Sequence, residues 1–124
     1  MIADALTGQR IFVTGSTGFL GTALVERLLR CAPGCDLVLL VRPGRRSSAA
    51  QRVQREVLRN DAFDRLRHEL DDFDAECARR IQVVAGDVGV DGLGLDHEGR
   101  EALASCHTVI HAAAAVAFDS PLDR

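Results

Sequence analysis

The chain of 124 residues has no lysine, no tyrosine and no tryptophan, so all fifteen of its basic side chains other than histidine are arginine. A phenol acid and an amine nucleophile are both excluded from any chemistry its side chains perform. It is also poor in aromatics, with five phenylalanines. Long apolar runs are missing: none approaches the roughly 20 residues that a bilayer-spanning helix needs. The first ten residues lack the basic-then-apolar pattern of a secretory signal. We therefore expect a soluble, cytoplasmic chain without a membrane segment. The net charge is −3, and most arginines are interspersed with aspartate and glutamate. That pattern leaves no nucleic-acid footprint. Cys31, Cys35, Cys77 and Cys106 lack the paired close spacings of a zinc site. They are expected to be free, mostly buried thiols with no metal.

What the chain does have is Ile11-Phe12-Val13-Thr14-Gly15-Ser16-Thr17-Gly18-Phe19-Leu20-Gly21, an apolar run that breaks into regularly spaced glycines and then an amphipathic segment. This predicts a strand, a phosphate-binding turn and a helix. Gly15 lets the chain turn off the strand, Gly18 lets backbone approach a pyrophosphate, and Gly21 lets the helix pack against the sheet. The unpaired N–H groups of that helix would face the anion. Leu20, Ala23, Leu24 and Leu28 are expected on its buried face.

Further along, Asp36 to Val41 is a continuous apolar run suited to a parallel strand covered on both faces. Ser48 to Arg59 has a helical period carrying Val53, Val57 and Leu58, and Phe63, Leu66, Leu70 and Phe73 extend it in a second piece. The acidic run Asp71 to Glu76 is expected to be a solvated helix end or loop. Ile81 to Ala85 is a third strand closed by Gly86-Asp87-Val88, a Gly-rich loop spans Gly89 to Gly94, and a short helix from about His97 to Ala104 is weakened by Gly99. Thr108 to His111 is a fourth strand. The alternation implies an α/β, Rossmann-like, doubly wound parallel sheet with strand order 3-2-1-4. One domain over 1–124 is expected, incomplete because a fold of this type continues beyond its fourth strand.

Where the second strand ends, an acidic residue would hold a ribose 2′-hydroxyl and an arginine would accept a 2′-phosphate. Here stands Arg42, with Asp36 at the strand's other end. NADP is thus favoured over NAD, although Arg42, Arg45 and Arg46 acting only as a solubilising loop stays open. Asp87 after the third strand can accept from an adenine amine or cap a turn. His111 is expected to be a packed strand-end residue, and His68, His97 and His107 surface or strand-edge residues.

The segments Thr14 to Gly21, Val41-Arg42-Pro43, Gly86-Asp87-Val88 and Val109 to Ala114 together resemble extended short-chain dehydrogenase/reductases. Arg46 to Arg52, Asn60 to Leu66 and Ala117 to Leu122 narrow the resemblance to the N-terminal part of fatty acyl-CoA reductases and thioester reductase domains. The resemblance implies a pyrophosphate held by Ser16, Thr17, Gly18, Phe19 and Leu20, within a cofactor-binding turn that also takes in Thr14, Gly15 and Gly21. It also implies Arg42 and Arg52 at the 2′-phosphate, Asp87 and Val88 at the adenine, and Ala112, Ala113 and Ala114 beside the nicotinamide-side ribose. The implied activity is NADPH-dependent reduction of a long-chain acyl-CoA or other acyl thioester to aldehyde or alcohol. The Tyr and Lys of that chemistry are expected beyond the fourth strand, so the chain alone is expected not to turn over. Alternatives are a non-catalytic NADP-binding sensor or scaffold, or part of an extended reductase of small carbonyls. Self-association through an open sheet edge is a further expectation.

Overall fold

The computed structural model describes residues 7–32, 34–87 and 89–112. Four parallel strands form one sheet: β1 (Arg10–Thr14), β2 (Asp36–Val41), β3 (Ile81–Ala85) and β4 (Thr108–His111), in the order β3-β2-β1-β4. The expected 3-2-1-4 order is therefore found. The helices are α1 (Phe19–Cys31), α2 (Ala49–Arg52), α3 (Asp64–Glu69), α4 (Phe73–Arg80) and α5 (His97–Ala104). A π-helical segment, Val53–Leu58, prolongs α2.

Alternation along the strands sorts the core onto two faces. Ile11, Val13, Leu37, Leu39 and Val41 join Val25, Leu28, Leu29, Val53, Val57, Phe63 and Leu66 on one face. Phe12, Val38, Leu40 and Val84 meet Leu95 and Ala102 on the other. Fully buried central strands need apolar residues at every position, which explains the unbroken run of β2. β4 is more exposed, with Val109 at 56%.

Gly21 sets the docking of α1. A Cβ built there would sit 1.8 Å from the carbonyl oxygen of Gly15, so only glycine permits this approach. The buried face consequently runs through Gly21, Thr22, Val25, Leu28 and Leu29. Leu20 and Ala23, expected inside, point to solvent, while Leu28 is buried as expected.

Beyond the strands, Ser48 caps α2 through a capping box with Gln51. Leu70, Asp71 and Asp72 interrupt the expected second helical piece, and Asp72 caps α4 by accepting from the Ala75 N–H. The acidic run is thus a loop and a helix start. Arg80 is buried and donates to the carbonyls of Leu29, Ala32 and Cys35, satisfying the C-terminal end of α1 and the turn after it. Among the cysteines, Cys35 and Cys77 are buried, Cys106 is half-buried and Cys31 exposed. Burial, with Asp74 nearby, pushes the Cys77 thiol up to about 11.

Candidate functional site: an anion cradle at the ends of β1 and β2

The turn from β1 into α1 is set by backbone conformation and one side-chain bond. Gly15 takes a φ of 76°, a left-handed value that favours glycine, and its carbonyl accepts the Gly18 N–H at 3.1 Å. The Thr22 hydroxyl donates to the Ser16 carbonyl at 2.7 Å, tying the turn to the first helical turn of α1. Gly18 is the N-cap, with no side-chain cap bond and no acidic residue in the first turn. The start of α1 therefore keeps its positive end open to an anion. Ser16 Oγ is buried and has no hydrogen-bond partner among the described residues. Buried hydroxyls are ordinarily satisfied, so an orphan beneath a glycine turn fits a phosphate oxygen as its missing partner.

A cleft of about 220 Å³ opens beside this turn, lined by Gly15, Thr17, Leu40, Val41, Arg42, Arg52, Gly86 and Asp87. It brings together residues from the ends of β1, β2 and β3 and from α2. Arg42 is exposed and makes no ion pair or side-chain hydrogen bond among the described residues. Arg52, by contrast, is bonded: Nε and Nη2 donate to Glu56 at 2.6 and 2.8 Å, and Nη1 donates to the Arg42 carbonyl at 2.6 Å. The bonded guanidinium holds the Glu56 carboxyl below its usual range.

Of the two roles considered for Asp87, the structure has the turn cap. Asp87 lines the cleft, and its Oδ1 accepts from the Gly89 N–H at 2.8 Å in a turn. Gly86 before it is forced by space, since a Cβ would lie 2.3 Å from the Leu40 side chain and 2.5 Å from the Leu93 carbonyl oxygen.

None of the remaining expected residues that the structure describes lines the cleft. Thr14 is buried at the end of β1, and its hydroxyl bonds His111 Nδ1 at 2.7 Å. His111 is exposed rather than packed, because β4 is covered so little. The Ala112 N–H donates to the Thr14 carbonyl at 3.1 Å, and Ala112 does not line the cleft. Phe19 and Leu20 stand out from the turn, 89% and 68% exposed. Val88, Ala113 and Ala114, with the segment Ala117 to Leu122, lie outside the described residues. Glu56 was missed by the sequence reading, though its position four residues after Arg52 in a helical pattern was the available signal.

A parallel sheet in this order, with a glycine turn feeding a helix, is a Rossmann-like nucleotide-binding fold, and the comparisons that follow make its ligand class a nicotinamide dinucleotide. The chain belongs to the family described as male sterility protein, whose model matches residues 13–124. It is 36% identical over 123 residues to fatty acyl-CoA reductase 1 of Homo sapiens, covering 98% of this chain and 23% of that protein. Fatty acyl-CoA reductase 1 of Arabidopsis thaliana is 35% identical over 123 residues, covering 95% and 25%. Among solved structures, the reductase domain of a non-ribosomal peptide synthetase from Mycobacterium tuberculosis matches with a TM-score of 0.63 and 34% identity, over 87% of this chain and 24% of that one. The terminal R domain of the myxalamid pathway matches with a TM-score of 0.64 and 29% identity, over 93% and 27%. The chain thus spans about a quarter of the length of these proteins.

Proposed function

We propose that this chain forms the NADPH-binding part of a reductase acting on long-chain acyl-CoA or a related acyl thioester. The observation that carries the cofactor half of this reading is an open helix start over an orphaned Ser16 hydroxyl, together with an unpartnered Arg42 on the cleft that Gly15 and Thr17 of the same turn line. When bound, the dinucleotide would supply hydride to the acyl carbon. The chain's own residues would do the holding. The N–H groups at the start of α1 and the Ser16 hydroxyl would take the pyrophosphate, and Arg42 would take the 2′-phosphate through a charge-assisted fork. Asp87 would accept from the adenine amine with the carboxylate oxygen its turn leaves over. Ala112 to Ala114, following β4, would run beside the nicotinamide-side ribose. The acyl thioester is supported by the fatty acyl-CoA reductases among the relatives.

With neither tyrosine nor lysine in its sequence, the chain has no phenol or ammonium to protonate a reduced carbonyl. On this reading its role is cofactor binding. The test is titration of the chain with NADPH and NADH before and after Arg42→Ala. We expect NADPH to weaken about ten- to a hundredfold, the worth of a charged hydrogen-bonded pair, with NADH changed less than about twofold. Equal losses for both nucleotides would sink the assignment.

A further inference from the structure

We propose that the outer face of α2 and of its π-helical continuation holds the phosphorylated end of the acyl donor, the 3′-phosphate and pyrophosphate of coenzyme A, in a groove separate from the cofactor cleft. This rests on the acyl thioester reading above and gives that substrate a place on this chain.

The charge distribution supplies the first part of the argument. From Arg42 to Arg59 there are six arginines and one carboxylate, Glu56, whereas the rest of the chain has nine arginines and seventeen carboxylates. An acidic chain that gathers positive charge on one helix and the loop before it raises the local concentration of anions there. Arg46, Arg55 and Arg59 line an opening of about 460 Å³ together with Ala50, Gln51 and Gln54, a size ordinary for a small-molecule site. All three arginines are exposed and make no ion pair or side-chain hydrogen bond among the described residues. The one carboxylate of the segment, Glu56, is bonded to Arg52 instead. Three guanidiniums therefore converge with their donors uncommitted, a set suited to phosphate oxygens.

Position supplies the second part. The groove and the cofactor cleft share no lining residue and lie on either side of α2, where Arg52 lines the cleft and its neighbour Gln51 the groove. A polyanion in the groove lies beside the dinucleotide without taking its place, and the flexible pantetheine arm spans the distance to the reacting carbon. The far end of the groove selects against a broad anionic surface. Gln54 and Arg59 also line an adjoining opening that carries Asp71, Asp72 and Asp74, and whose Arg67 is paired with Asp64. A bilayer or a nucleic-acid strand laid over Arg55 and Arg59 would meet those carboxylates, whereas a compact phosphorylated ligand need not.

The experiment is isothermal titration of the chain, with and without saturating NADPH, with coenzyme A, dephospho-coenzyme A and phosphatidylglycerol vesicles. Wild type is compared with Arg55→Gln/Arg59→Gln and with Arg27→Gln, which removes an exposed arginine from α1, and far-UV circular dichroism shows that each is folded. We expect coenzyme A to bind alongside NADPH, dephospho-coenzyme A to bind about tenfold more weakly, and vesicles not to bind. The double variant should weaken coenzyme A about tenfold and Arg27→Gln less than about twofold, with NADPH affinity unchanged in both. Displacement of NADPH by coenzyme A, full affinity for coenzyme A in the double variant, or vesicles held through Arg55 and Arg59 would each overturn the groove while leaving the reading it rests on. No binding of coenzyme A at all would overturn both. A chain that binds coenzyme A through these arginines but does not bind NADPH would overturn the cofactor reading and support the groove.

Discussion

At the scale of single residues, the site depends on what certain side chains do not have. Gly21 lacks the Cβ that would collide with Gly15 and with the Ser16 Cα at 2.9 Å, contacts with backbone that no rotamer change relieves. Gly21→Ala should therefore force the turn open, destabilising the chain by about 2 kcal/mol or more and removing nucleotide binding. Denaturant unfolding together with NADPH titration would check both, and an alanine variant that still bound NADPH would remove the turn from the account. Glycine spacing was legible in the sequence because each glycine has a distinct physical duty. The orphaned Ser16 hydroxyl and the Arg52–Glu56 fork were not, because both depend on where the turn and α2 lie in space.

Among elements, α1 shows how a periodicity can be right while its phase is wrong. Leucines at 20, 24 and 28 suggest a stripe, yet the contact point is Gly21, and small residues carry no weight in an apolar count. Thr22 is buried because its hydroxyl is spent on the Ser16 carbonyl. The acidic stretch before β3 teaches a related lesson. The charge reads as a solvated helix end or loop, which it is, and Asp72 followed by Asp74 and Glu76 in the first turn marks that end as a helix start. Removing that cap with Asp72→Ala should cost about 1 kcal/mol, read as a lower denaturant midpoint with an unchanged slope. No change at all would mean that α4 is held by Cys77 and Arg80 packing rather than by its cap.

For the molecule as a whole, strand order and the place of the cleft were legible from alternation and from the residue types at strand ends. Parallel strands joined by helices admit few orders, and β1 beside β2 puts Gly15 and Arg42 together at the carboxyl ends of the two central strands. The exposure of β4 was less legible, since a run such as Thr108 to His111 reads alike whether or not a neighbour covers it. Among the described residues β4 pairs with β1 alone, the feature behind the expected open edge. Two faces of unequal depth follow: one holds α1 to α4, the other α5.

The most direct measurement is a crystal structure of this chain grown with NADPH. The account predicts the pyrophosphate over the start of α1 within hydrogen-bond reach of Ser16 Oγ, and the 2′-phosphate on Arg42. A nucleotide bound elsewhere, or a 2′-phosphate turned away from Arg42 into solvent, would contradict it.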